Sequence, residues 1–315
     1  MSASVTIRFE LQDDHITAMS SSDLHPNGRL FNIGTHNLAL YSHGPSPSSP
    51  NDPVVVFISG VASDALNWQA VVRQLSPSVR TYTYDRSGYR NSEFSPLAPS
   101  AENIALELSL LLEKAPISNP LILIAGLVLV DANHETAPLV MNVNDPILWN
   151  KIAAGIDAYS AWGVRSEHKM TPEEWNAFEA AESTDKYKLI AHKEDVEQYS
   201  QSFETLRMKK LSKQQPLLVN KPVYVIAGTR SRDWTGLYNA GVAKGNGSEE
   251  ERRHVKEMIA TVDEKNAGLM REFLKLSTKS ELVLATKSGH FVQLFQPEIV
   301  VDGVRWVLNN RTVSA

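Results

Sequence analysis

The chain has 315 residues, 42% of them hydrophobic and 21% charged, with a formal net charge of -5. That is enough apolar material for one large domain or two small ones, and it offers no basic field for a nucleic-acid partner. Cysteine is absent, which excludes disulfides, thiolate metal ligands and a cysteine nucleophile, so the chemistry falls to Ser, His, Asp, Glu or Lys.

The stretch from Met1 to Asp14 mixes Arg8, Glu10, Asp13 and Asp14 with its apolar residues, unlike a secretory leader. The longest apolar run, Leu121 to Val130, is shorter than the roughly 20 residues a membrane span takes. A cytoplasmic protein without membrane contact is the expectation.

In chain order, Arg29 to Ile33 and His36 to Tyr41 alternate like half-buried antiparallel strands and predict an edge hairpin turning near Gly34. After a polar loop, Pro53 to Ile58 is a continuous β-branched run suited to a parallel strand covered on both faces. Ala65 to Leu75 has helical spacing and Val79 to Tyr84 returns as a strand, so a βαβ unit is predicted. Ala101 to Lys114 predicts an amphipathic helix with Ile104, Leu108, Leu111 and Leu112 on one side, and a strand follows from Leu121.

From residue 137 to 219 the pattern is polar and helical, punctuated by Trp149, Trp162 and Trp175, with a capping box at Thr171-Pro172-Glu173-Glu174. This predicts a helical cap inserted into a core made of residues 1–136 and 220–315. Strand character resumes at Pro222 to Ala227, helix at Ser248 to Leu276, strand at Glu281 to Ala285 and helix at Pro297 to Leu308. The predicted class is α/β: a mostly parallel sheet with helices on both faces. Ligands of such sheets gather beyond the carboxyl ends of the strands, which directs attention to the loops there.

Four of these loops carry a family resemblance. Phe57-Ile58-Ser59-Gly60-Val61-Ala62-Ser63 with Trp68 resembles the oxyanion loop of α/β hydrolases, with Ser59 where a His is usual. Tyr84-Asp85-Arg86-Ser87-Gly88-Tyr89-Arg90-Asn91-Ser92 is similar to the D-R-x-G-x-G-x-S loop, with Arg90 in place of its second glycine. Ala227 to Asp233 resembles the segment that supplies the acid, and Ser288-Gly289-His290-Phe291 the one that presents the histidine. The overall style is similar to fungal proteins of the AB hydrolase-1 type, some of which tailor secondary metabolites.

The resemblance implies acyl transfer: an ester, lactone or thioester attacked by a serine, His290 moving the proton, Asp233 orienting the imidazole, and backbone N–H groups at Gly60 and Val61 facing the oxyanion. Asp131, after the run ending in Val130, is the alternative acid. A small-molecule substrate and no metal or organic cofactor are implied.

One element of that pattern is missing. No G-x-S-x-G elbow occurs anywhere in the chain. In relatives the strand resembling Leu121 to Ala125 runs into the elbow and its helix; here Gly126 to Ala132, which resembles the next strand, follows at once. Two neighbouring parallel strands need a crossover of a dozen or more residues, so the predicted sheet is one strand and one helix short, by about twenty residues. Three readings stay open: coding sequence removed as an intron, a true loss that leaves a binding protein, or proton transfer by His290 without a covalent step, as in an isomerase, cyclase or lyase. Ser59, Ser63 and Ser87 are conceivable substitute nucleophiles, although none sits on a strained elbow.

Overall fold

The computed structural model describes residues 27–49, 52–115, 117 and 125–311. The predicted strand start at residues 121–124 and the amino-terminal stretch lie outside the described residues.

The hairpin forms as β1 (Gly28–Asn32) and β2 (Asn37–His43), paired antiparallel. Its turn needs Gly34, at φ +105°, whose N–H donates to the Asn32 side chain at 2.9 Å. β3 (Val54–Phe57) and β4 (Arg80–Tyr84) pair in parallel, and β2 closes on β4 antiparallel. The crossover between them is tighter than one helix: a 3-10 turn over Ala65–Trp68, started by Asp64 accepting from the Leu66 N–H, leads into α1 (Gln69–Leu75). α2 (Ala101–Lys114) starts at Ser100, whose hydroxyl accepts from the Asn103 N–H.

Three further parallel strands, β5 (Leu127–Val130), β6 (Val223–Gly228) and β7 (Ser280–Ala285), pair in that order. Between β5 and β6 the described chain is helical: α3 (Ala137–Met141), α4 (Ala158–Ala161), α5 (Val164–Glu167), α6 (Pro172–Ser183), α7 (Asp185–His192) and α8 (Tyr199–Lys209). The capping box at Thr171 and Glu174 is present with both hydrogen bonds. β6 leads into α9 (Arg230–Ala243), α10 (Glu249–Phe273) lies before β7, and α11 (Val292–Phe295) and α12 (Pro297–Asn310) end the described chain.

Among the described residues the strands make two sheets, β1-β2-β4-β3 and β5-β6-β7. Alternating strand residues show how these are covered. Val55 and Phe57 of β3, Val128 and Val130 of β5, and Tyr224 and Ile226 of β6 share one core with α1 and α12. On the opposite face the core divides: Val54 and Val56 pack with α2 around Leu111, whereas Leu127, Leu129, Val223 and Val225 pack with α3 and α10. One face is therefore continuous across both sheets and the other is split. The strands on either side of the division, β3 and β5, are mostly half-buried, while every residue of β6 is buried. Leu106 of α2 and Leu139 of α3 remain 50% and 70% exposed.

Candidate functional site

His290 sits in the loop between β7 and α11. The Gln296 side chain grips that loop, accepting from the Lys287 N–H at 2.8 Å and lying 3.1 Å from the Ser288 hydroxyl, and the Thr229 N–H donates to the Ser288 carbonyl. Gly289 is required by space: a Cβ there would fall 1.8 Å from Oδ1 of Asp233. Phe291, next in sequence, packs on Tyr159 and Trp162 at ring distances of 5.8 and 5.7 Å, so the helical segment after β5 lies against the histidine loop.

The carboxylate at the imidazole is that of Asp131, the alternative acid, and not Asp233. Oδ2 of Asp131 lies 2.8 Å from Nδ1 of His290. Oδ1 accepts the Gly228 N–H at 2.9 Å and the Asn266 amide at 3.1 Å, and the Arg230 guanidinium stands 2.9 Å from Oδ2. Asp131 is fully buried and adopts φ +40°, a left-handed backbone unusual for a side chain with Cβ and common where the surrounding structure holds a functional group in place. Burial alone would raise its pKa, but Arg230, the His290 hydrogen bond and the Gly228 N–H outweigh it and hold the carboxyl at about 2.

Asp233 does other work. The helix α9 begins at Arg230, which puts Asp233 on a buried first turn instead of in a loop, where its Oδ2 accepts the main-chain N–H of His290 at 2.7 Å. Burial pushes its pKa up against that hydrogen bond and the nearby positive groups. Asp131 thus addresses the ring of His290 and Asp233 addresses its backbone.

The segment around Gly60 is open on one side: a Cβ at Gly60 would meet nothing within 4 Å, and Ile58 and Val61 are both exposed. On the other side it is held from the helical segment. Ala62, at φ +49°, donates its N–H to Glu194 at 2.9 Å and accepts from the Tyr187 hydroxyl at 2.8 Å. Glu194 also accepts from the Arg86 guanidinium and the Tyr89 hydroxyl, each at 2.8 Å. Nothing in the sequence marks Glu194, which lies in a polar stretch. The one available signal is Arg86, a guanidinium beside the buried end of a strand, which needs a carboxylate from elsewhere. Asp64 lies beneath the same loop with its pKa raised to about 7, by burial first and by Asp85 second.

None of the candidate substitute serines hydrogen-bonds to the histidine among the described residues. The Ser59 hydroxyl donates to the Asp64 carbonyl at 2.7 Å, and Ser87 bonds to Glu107 and His36. Among the described residues no hydroxyl hydrogen-bonds to the His290 ring. The arrangement therefore orients a half-exposed imidazole against a buried carboxylate, where it can take up or deliver a proton, but among the described residues it presents no activated hydroxyl.

No protein-family model matches the chain. An "AB hydrolase superfamily protein" of Gibberella zeae is 27% identical over 299 residues, covering 86% of this chain and 91% of that protein. A "Probable transporter efuK" of Hormonema carpetanum is 30% identical over 311 residues, which is 90% of this chain but 43% of that protein, so the chain spans less than half of this relative. No helix among the described residues is long and apolar enough to cross a membrane. Of solved structures, the Cif epoxide hydrolase from Acinetobacter nosocomialis superposes with a TM-score of 0.54 at 16% identity, over 89% of this chain and 88% of that one.

Proposed function

The chain belongs to the α/β-hydrolase superfamily, and from that premise we propose that His290 and Asp131 are the acid–base pair of an acyl-transfer site whose complete form hydrolyses an ester, lactone or thioester. The observation that carries this is the 2.8 Å contact between Nδ1 of His290 and the fully buried Asp131. A carboxylate on Nδ1 fixes the tautomer that leaves Nε2 free as the base and stabilises the imidazolium formed when it takes a proton. In this reading Asp233 positions the histidine loop, the N–H groups at Gly60 and Val61 face the developing oxyanion, and the helices between β5 and β6 act as a cap over the substrate.

In this reading the chain lacks the covalent step. No G-x-S-x-G elbow occurs in the sequence, and the division of the core between α2 and α3 among the described residues supports a missing strand and helix. Acyl transfer is accordingly impaired in this form. A second reading, proton transfer on a bound ligand without a covalent intermediate, is favoured by one observation: the imidazole is half-exposed, carboxylate-paired and not hydrogen-bonded to a hydroxyl among the described residues.

Hydrolysis of p-nitrophenyl acetate, a lactone and a thioester by this chain, beside the same chain carrying a family-type elbow and helix between Ala125 and Gly126, tests the proposal. The restored chain is expected to turn over at least one of the three at a rate about a thousandfold above the given chain. Equal, background rates from both would leave proton transfer as the surviving reading.

A further inference from the structure

We propose that the cavity enclosed by the loop after β4, the start of α2 and the helical segment around Glu194 binds a small primary amine with an apolar tail, its ammonium group held by Glu107 and Ser87. The cavity measures about 270 Å³, room for a ligand of roughly ten heavy atoms or fewer. None of the residues in contact with His290 lines it, so this site and the acid–base pair stand or fall separately.

Its polar end is built from deeply buried groups. The Ser87 hydroxyl donates to Oε2 of Glu107 at 2.5 Å and lies 2.7 Å from Nε2 of His36. The Glu107 side chain is 8% exposed, and its Oε1 is 3.9 Å from His36 Nε2, beyond hydrogen-bond length. Among the described residues the Ser87 hydroxyl is the one hydrogen-bond donor to this carboxylate, and no Lys or Arg pairs with it. The neighbouring cation, Arg86, is committed to Glu194 at 2.8 Å. The carboxylate thus lies against one hydroxyl and 3.9 Å from an imidazole, with no Lys or Arg beside it among the described residues, and a cationic donor entering from the cavity would complete it.

The remainder of the lining fixes the ligand's other end and its charge. Pro96, Leu97, Ile104 and Ile190 form an apolar wall, and Leu97 is left 44% exposed for a tail to cover. Three carboxylates, Glu107, Glu194 and Glu197, face two cations, Arg86 and Lys193, so the lining carries an excess negative charge that favours an ammonium group over a carboxylate.

Isothermal titration calorimetry with cyclohexylmethylamine and with cyclohexylmethanol, a pair alike in shape and different in charge, tests this on the full chain. The amine is expected to bind saturably at one site. The alcohol should bind about tenfold or more weakly, and Glu107→Gln should lower the affinity for the amine by a similar factor. No saturable binding of the amine, equal affinity for the two probes, or undiminished amine affinity in a folded Glu107→Gln would overturn the proposal. Should Glu107→Gln fail to fold, Ile104→Trp, which fills the apolar wall, takes its place: it must abolish amine binding, and undiminished affinity there overturns the proposal equally.

Discussion

Asp131 and His290, 159 residues apart in sequence, meet at 2.8 Å with the carboxylate fully buried and the imidazole half-exposed. The sign of the resulting pH dependence follows from the carboxyl's displacement from an ordinary 3.8 to about 2 in the fold. A lowered carboxyl pKa contributes stability that is fully present above about pH 4 and is lost as pH falls towards 2. Such a displacement is worth about 2 kcal/mol. Asp131→Asn should therefore destabilise the chain by about 3 kcal/mol at pH 7, where it strands Arg230, and flatten the loss of stability between about pH 4 and 2. Urea titrations across that range check this; an unchanged acid limb in the variant would remove Asp131 as its source.

Asp64 should act with the opposite sign. Its pKa rises from 3.8 to about 7 on burial, so its cost to the fold grows as pH increases through that interval. Asp64→Asn keeps an oxygen for the Leu66 N–H and should raise the melting temperature at pH 8 more than at pH 4.5. A larger gain at the lower pH would contradict the assignment.

Gly289 and Asp233 should behave as one unit. Gly289→Ala forces a Cβ onto the Asp233 carboxylate and should cost about 2 kcal/mol or more. Asp233→Ala removes the clashing group, so the double variant should be more stable than the sum of the two losses predicts. A double-mutant cycle by chemical denaturation reads the coupling directly, and strict additivity would contradict the contact.

How much of this was legible beforehand depends on the range of the forces involved. The hairpin at Gly34, the βαβ unit and the capping box at Thr171 were readable because short-range spacing and backbone preference decide them. Which carboxylate meets the imidazole was not, since it turns on α9 starting at Arg230 and turning Asp233 toward the His290 backbone. Glu194 was invisible for a related reason: its partners, Ala62, Arg86 and Tyr89, lie on loops more than a hundred residues earlier. The sequence sign at the junction of Ala125 and Gly126 is local, whereas the split of the core on one face among the described residues is a tertiary feature that spacing does not show.

Glu194 gives a prediction of its own. Glu194→Gln leaves the buried Arg86 guanidinium without its counter-charge and should cost about 3 kcal/mol. Guanidinium titration measures it; a loss below 0.5 kcal/mol, within the range of ordinary surface changes, would mean that the contact contributes little.

A family-type elbow and helix inserted between Ala125 and Gly126 should join the two halves of the split core and raise the melting temperature, since each Å² of apolar surface covered is worth about 25 cal/mol. An inserted chain that melts no higher than the given one would contradict the claim of a missing layer.

Labelling with a fluorophosphonate probe tests the central claim most directly, because that reagent reports an activated serine without requiring the substrate to be known. The chain as given should take up no label. The chain restored between Ala125 and Gly126 should take up one equivalent, on the inserted serine, and His290→Ala should abolish that uptake while leaving the melting temperature within a few degrees. Stoichiometric labelling of any serine in the given chain, or labelling of the restored chain that survives His290→Ala, would contradict the account.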